Sequence, residues 1–321
     1  MGYAMSTSLK IIINPSELGA GTRGSSLGPL AVQAAARARG NPLFSEIPWE
    51  VLPDWNQLLD QPATTLFAKR IHGMREVYRA VSDSVSACLL KNTFPLLISG
   101  DHASAGGTFW AIKNAFPNKR IGVVWIDAHA DLHSPYTTPS GNLHGMPLAT
   151  ALDGDNLGCQ RNEVDIITAA AWKELKSHSL KSSDLIYVGV RSTEPEEDHI
   201  ISSENITKIS VTKLRKLGVE YVLSTILSQL KKCDVMYVSF DVDSMDPRET
   251  SFGTGTPEPG GFTQEEARQL LIGLCNSPKI AVLEFAEINP LLDDKNNAMA
   301  EVTLDLITHC KNTLLNRWNQ G

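Results

Sequence analysis

Aspartate and histidine recur at alternate positions just past three apolar runs of this chain. Residues 123–126 read Val-Val-Trp-Ile, and Asp127, His129 and Asp131 follow at once. Residues 235–240 lead into Asp241 and Asp243, and residues 94–99 lead through Gly100 and Asp101 to His102. Side chains at i, i+2 and i+4 of an extended segment share a face. Asp127, His129 and Asp131 are therefore expected to converge on one point, if the backbone stays extended past the strand. One D-x-H in a loop is commonplace, and a lone histidine after a strand is ordinarily a hydrogen-bonded surface residue. Recurrence after three apolar runs is what points to a metal. Buried carboxylates are costly unless paired or bound to a cation, and few basic residues adjoin Asp127, Asp131, Asp241 or Asp243 in the sequence. The candidate ligands offer oxygen and imidazole but no thiolate. That mixture favours Mn²⁺ or a related divalent ion over a structural zinc site. Six ligands are many for one catalytic ion, so the expectation is a binuclear site with bridging carboxylates, able to generate a hydroxide nucleophile near neutral pH.

Such a site needs a scaffold that ends several strands at one edge, and the rest of the sequence supplies the signals for one. Strands are expected at 9–14, 94–99, 121–126, 185–190, 235–240 and 280–288. Helices are expected from Pro29 to about Arg39 and at 67–91, 105–116, 220–231, 263–275 and about 298–318. Pro29 suits a first helical turn and Gly40 a stop. In the segment 67–91, Ile71, Met74, Val77, Tyr78, Val81 and Val85 recur with helical period. Val and Ile runs without alternation indicate strands buried on both faces of a parallel sheet, and strands alternating with helices make the chain α/β. Ligands at the C-terminal ends of parallel strands sit where such folds place their sites. No linker or internal repeat divides the chain, so a single domain over 9–321 is expected, with 1–8 a flexible N-terminus or an expression remnant.

Composition removes other function classes. The chain has 321 residues, 42% of them hydrophobic, and a net charge of −7. It can bury a large core and carries no basic run for nucleic acid. No segment approaches the roughly 18 consecutive apolar residues of a membrane span. Five widely spaced cysteines without a C-x-x-C read as core thiols in a reducing compartment, and no signal-peptide pattern precedes the first strand, so a cytoplasmic location is expected. Met1-Gly2-Tyr3-Ala4-Met5-Ser6 formally fits a myristoylation pattern; an expression remnant ahead of a start at Met5 is the preferred reading.

The segments Gly100-Asp101-His102, Asp127-Ala128-His129-Ala130-Asp131 and Ser239-Phe240-Asp241-Val242-Asp243-Ser244-Met245-Asp246-Pro247 resemble the signatures of the ureohydrolase family, whose members include arginase, agmatinase and formimidoylglutamase. Order, spacing and strand context agree from the loop after the first strand to Pro290. The family has a parallel-sheet α/β fold, a single domain of three layers, and a binuclear manganese centre that hydrolyses guanidino or amidino groups. The resemblance implies that His102, Asp127, Asp131 and Asp241 hold one ion. Asp127, His129, Asp241 and Asp243 hold the other, with Asp127 and Asp241 bridging. Asp131 would also orient the attacking hydroxide. Asp246, with Pro247, is expected to fix a turn rather than bind metal. Ser140-Gly141-Asn142-Leu143-His144-Gly145 is similar to the arginase branch in particular. That likeness makes His144 the proton shuttle, a task suited to a group titrating near neutrality, and makes Ser140 and Asn142 donors to a substrate α-carboxylate. By the same resemblance Glu287 pairs with the guanidinium, Glu194 and Glu197 meet the α-amino group, and Thr256 stands near the site. Glu284, three residues before Glu287, is left without a role.

The departures bear on substrate. His133 stands where arginases carry an Asn that contacts the carboxylate, Ala103 replaces a Ser, and Glu194 replaces an Asp. The loop Gly255-Thr256-Pro257-Glu258-Pro259-Gly260-Gly261 is closer to the agmatinase version. The expectation is therefore an arginase using two Mn²⁺ ions, or another divalent metal, on a small guanidino substrate, as a trimer or hexamer by resemblance. Agmatinase, or a hydrolase of another guanidino or formimino compound, is the alternative. Outside the family, a binuclear phosphoesterase would add a G-N-H-[DE] element that this sequence lacks. A non-catalytic metal-bound interaction protein would have no use for His144 and Glu287.

Overall fold

β-Branched and aromatic residues fit a pleated surface buried on both faces, and the Val/Ile-rich runs form the strands of one sheet. The computed structural model describes residues 8–319. Its strands are β1 (Ser8–Asn14), β2 (Trp49–Val51), β3 (Thr93–Ser99), β4 (Ile121–Ile126), β5 (Leu185–Val188), β6 (Thr207–Ile209), β7 (Val235–Asp241) and β8 (Ile280–Ala286). They run in the order β2-β1-β3-β8-β7-β4-β5-β6, with every pairing parallel. Strands β4, β7 and β8 are buried along their whole length.

Period-2 geometry sorts their side chains into two cores. Ile11, Ile13, Val124, Ile126, Val238 and Phe240 face one side, with helices Gly28–Ala38, Gln264–Cys275 and Ala298–Asn319 packed there. Ile12, Val123, Trp125 and Tyr237 face the other side, with helices Ile71–Leu90, Ala105–Ala115 and Ile166–Leu175. The result is a three-layer α/β fold, as the sequence leads one to expect. No helix among the described residues is long and apolar enough to cross a membrane.

Differences from the expected elements have local causes. The helix expected from 67 begins at Ile71, because Arg70 is in the left-handed region (φ 58°) and the Thr65 hydroxyl donates to the Ala68 carbonyl at 2.6 Å. The strand expected to reach 190 stops at Val188, because Gly189 (φ 97°) turns the chain. β8 stops two residues short of the expected end, at Ala286, because Glu287 also takes a left-handed conformation (φ 70°). Residues 1–7, and with them the acylation pattern, lie outside the described residues. Ser8, set apart from the domain by the sequence reading, is the first residue of β1.

One contact in the layer beneath the site is open to a direct stability test. Helices Ile71–Leu90 and Ala105–Ala115 cross at Gly106, where an added Cβ would lie 2.0 Å from the Tyr78 ring. That ring is 1% exposed and packs edge-on against Trp110 with centroids 5.5 Å apart, so it has nowhere to go. Gly106→Ala is expected to destabilise the protein by about 1–3 kcal/mol, the usual cost of overpacking. Urea unfolding measures it; wild-type stability in the variant would show that Tyr78 has room to move.

Candidate metal centre and substrate cavity

The C-terminal ends of β3, β4 and β7 and the loops after them bring six of the sequence candidates together, and the loop after β8 adds a seventh, Glu287. After β3, Gly100 lets the chain pass where a Cβ would lie 2.3 Å from the Ser16 carbonyl oxygen. Asp101 then accepts the backbone N–H groups of Ala103 (3.0 Å) and Gly19 (2.7 Å). Burial, followed by the charge of Glu287, pushes its pKa up to about 7. His102 comes next, its ring stacked on Trp125 with centroids 4.0 Å apart and planes 9° apart.

Nδ1 of His102 faces Oδ2 of Asp127 at 3.0 Å and Oδ2 of both Asp131 and Asp241 at 3.1 Å. A second group lies beside this one. Nδ1 of His129 is 2.9 Å from Oδ2 of Asp243 and 3.6 Å from Oδ1 of Asp127. Asp127 thus belongs to both groups of potential metal ligands, His102/Asp127/Asp241 and Asp127/His129/Asp243. The convergence after β4 is not the continued extension expected from the sequence. Asp131 has φ 50°, so a left-handed turn swings its carboxylate back toward Asp127. Strained backbone of this kind persists where the surroundings over-determine it, and it concentrates at functional sites.

The donor set suits cations of high charge. Four carboxylates face two imidazoles here. The Arg191 guanidinium nearby is spent on carbonyl oxygens, those of Asp243 and Glu258 among them. Asp241, Asp243 and Asp131 are all held above the ordinary carboxylate range, first by burial and then by each other's or Asp127's charge, with Asp131 at about 6. His102 Nδ1 and Asp127 Oδ2 are buried without a hydrogen-bond partner. A ring nitrogen and a carboxylate oxygen that face each other at 3.0 Å, among four carboxylates, fit a divalent ion between them.

His144 sits over this group on a short turn, Leu143–Gly145, with its N–H tied to the Gly19 carbonyl at 3.2 Å. Its Nδ1 is 3.2 Å from Oε1 of Glu287, and the same oxygen accepts the His102 N–H at 3.0 Å. Burial works against the imidazolium, but the Glu287 carboxylate outweighs it and holds the His144 pKa at about 9.

A cavity of about 300 Å³ opens here, lined by His102, His129, Asp131, Asp241, Asp243 and His144 together with His133, Ser140, Asn142, Glu194, Glu197 and Thr256. Asp127 and Glu287 lie behind the lining, 1% and 2% exposed. Thr256 donates to Oδ2 of Asp243 at 3.0 Å and so holds that carboxylate in place. The two glutamates expected at the substrate are differently engaged. Glu197 is committed to backbone: Oε1 takes the Leu132 N–H and Oε2 the Glu194 N–H, closing a capping box on helix Pro195–Ser203. Glu194 pairs with His133 Nε2 at 3.2 Å, which holds its pKa near 2, and it keeps half of its surface exposed. Asp246 accepts the N–H groups of Arg248 and Gly260 and fixes the turn.

Three partners of the site carry no sequence signal that singles them out. Glu258 lines the cavity and accepts from Ser192 Oγ at 3.1 Å; its place in an agmatinase-like loop is the one available hint. Lys69 Nζ reaches Asn142 Oδ1 at 3.3 Å from 73 residues away. Glu284 is wholly buried behind His102.

Comparisons with known proteins agree over nearly the whole length. The sequence profile described as the arginase family matches residues 8–311. An arginase from Staphylococcus aureus (strain MRSA252) is 32% identical over 310 residues, spanning 93% of this chain and 95% of that protein. The crystal structure of arginase from Bacillus caldovelox superposes with a TM-score of 0.79 at 28% identity, covering 96% of this chain and 98% of that one. The Entamoeba histolytica arginase structure in complex with L-ornithine, at 24% identity and a TM-score of 0.79, shares the fold over 97% of this chain and 99% of that one.

Proposed function

The chain belongs to the arginase family, hydrolases of guanidino C–N bonds, and we propose that its reaction is the Mn²⁺-dependent hydrolysis of L-arginine to L-ornithine and urea. One observation carries the choice of substrate. A single cavity is lined both by the carboxylate cluster with His144 and by the neutral donors Ser140 and Asn142. A molecule that carries both a guanidinium and a carboxylate matches that combination.

In this reading His102, Asp127, Asp131 and Asp241 would hold one Mn²⁺, and Asp127, His129, Asp241 and Asp243 the other. Two such ions would lower the pKa of water and supply a hydroxide nucleophile near neutral pH. Asp131 accepts a hydrogen bond from the attacking oxygen and keeps it aimed at the guanidinium carbon. Glu287 pairs with the guanidinium, a planar cation suited to a carboxylate. Attack gives a tetrahedral carbon; its collapse breaks the bond to the side-chain nitrogen, and His144, protonated beside Glu287, gives that nitrogen its proton. Lys69 turns the Asn142 carbonyl oxygen toward itself, which leaves the amide N–H groups for the substrate carboxylate. A trimeric or hexameric assembly goes with the family reading and is checked by sedimentation.

Glu258 favours a second reading. A further carboxylate on the cavity wall suits agmatine, whose amine end carries no carboxylate. Urea release from L-arginine, agmatine and guanidinobutyrate, with and without added Mn²⁺, separates the two. L-Arginine is expected to show the higher kcat/KM, because a site built to hydrogen-bond a substrate group rejects an analogue lacking it. Asn142→Ala should narrow the gap by about 10–100-fold, in line with the ~1.5–3 kcal/mol of a hydrogen bond to a charged group; His133→Ala should narrow it by less, because both ring nitrogens of His133 are already engaged, with Thr137 and Glu194. A wild-type preference for agmatine would reject arginine as the substrate and leave the hydrolytic chemistry intact.

A further inference from the structure

Behind the cluster lies a buried carboxylate that the hydrolytic chemistry does not use. Glu284 is 0% exposed in the middle of β8, between β3 and β7, and its side-chain partners are all hydroxyls. Tyr237 Oη donates to Oε2 in a very short bond. Ser99 Oγ donates to Oε1 at 2.5 Å, and Ser104 Oγ approaches the same oxygen at 3.4 Å. The β7–β8 register sets Ser239 directly beside Glu284, and Tyr237, two residues earlier, shares its face. Ser239 Oγ lies 3.3 Å from Tyr237 Oη and 2.7 Å from His102 Nε2. Four groups thus form one line from the carboxylate to the ring whose other nitrogen faces Asp127, Asp131 and Asp241.

Tyr237 has one proton and two acceptors in reach, Glu284 Oε2 and Ser239 Oγ. An ionised Glu284, the nearer of the two, takes that proton, and the Ser239 oxygen is then left to accept from His102 Nε2–H. Stacking on Trp125 sets the plane of the His102 ring but leaves open a half-turn flip and the choice of tautomer. With Nε2 as the donor to Ser239 both are settled, and the Nδ1 lone pair is directed at the carboxylate cluster. An outer partner that orients a ligating histidine and fixes its tautomer commonly governs metal affinity.

We propose that Glu284 and Tyr237 are positioning residues for the metal centre, acting through Ser239 to hold His102 in the tautomer whose Nδ1 binds metal. This rests on the metal reading above and adds residues to it. Glu284→Gln is the sharpest probe, because an amide can donate. Tyr237 can then donate to Ser239, Ser239 to Nε2, and the ring proton moves to Nδ1, where it blocks the lone pair. Tyr237→Phe breaks the line without reversing it.

The experiment is equilibrium binding of Mn²⁺ to the whole chain, by dialysis and metal analysis, with thermal unfolding of the metal-free proteins alongside. Wild type should take up two equivalents. Glu284→Gln should weaken one of them by about 10–100-fold, the usual cost of losing an outer partner, and leave the other at its wild-type affinity. Tyr237→Phe should weaken the same equivalent by less, and it answers the question if Glu284→Gln does not fold. In a His102→Asn background either substitution should add nothing, since the groups act through one ring. Two equivalents at wild-type affinity in both variants would overturn the relay, as would an undiminished effect in the His102→Asn background. Equal weakening of both equivalents with a lowered unfolding temperature would reduce Glu284 to a packing role and overturn it too. Wild-type protein that takes up no Mn²⁺ would remove the metal reading itself.

Discussion

Asp243→Ala should retain no more than one tightly bound metal ion and lose most of its activity. Asp243 is the carboxylate that ties the second group of ligands together: Oδ2 meets His129 Nδ1 at 2.9 Å and the Thr256 hydroxyl at 3.0 Å, while Oδ1 takes the Ala128 N–H. Alanine removes one proposed ligand outright and frees another, His129, to turn away. The loss in kcat/KM should therefore exceed the ~10–100-fold that mere outer partners of a metal ligand are worth. In the wild type, removing metal should abolish activity and lower stability, and Mn²⁺ should restore both. An ion bound only by the folded state stabilises it by about 2.7 kcal/mol at a hundred times its dissociation constant. The Asp243→Ala protein should respond less to the same Mn²⁺ addition. Full metal occupancy and full activity in that variant would reject the ligand assignment.

The sheet and the six metal-type residues were legible in the sequence for one physical reason. Strands buried on both faces need uninterrupted apolar runs, and polar residues that follow such runs directly stand out against them. The elements that escaped notice lack that contrast. β2 and β6 are three residues each and lie at the two edges of the sheet, too short for any period to declare itself. Helix Ile166–Leu175 begins with Ile166 86% exposed, so its sequence blurs the apolar face that periodicity relies on.

Partnerships across long sequence distances were illegible for another reason. Nothing near residue 133 says that Glu194 will meet its imidazole, and nothing near residue 197 says that a loop 65 residues earlier will claim its carboxylate. Glu197 looks like one acidic residue among several at a helix start, yet burial lifts its pKa to about 8 and backbone amides hold both of its oxygens. Glu284 shows the limit most plainly. Strand alternation separates it from Glu287 but gives no hint that it lies behind His102, because that depends on which strands become neighbours.

His144→Asn tests the chemistry apart from the metals. The imidazole contacts Glu287 but none of the six metal-type side chains, so the variant should keep both ions bound. What it loses is a proton donor. Glu287, overcoming the cost of burial, holds the His144 pKa at about 9, above the ordinary histidine value. With a raised pKa the imidazolium prevails at neutral pH, and the donor form is lost only as the pH climbs through that value. In the wild type an alkaline decline in kcat should follow that titration, and in His144→Asn this component should vanish. At neutral pH kcat should fall by ~10²–10⁴-fold, the range for a positioned general acid or base. Small imidazoles added to the variant should recover part of the rate, since asparagine leaves room beside Glu287 but cannot donate with the same acidity. An unchanged kcat would take His144 out of the reaction. Loss of bound Mn²⁺ with the rate would instead make it a support of the metal centre, and the proton for the departing nitrogen would then have to come from water or from Asp131.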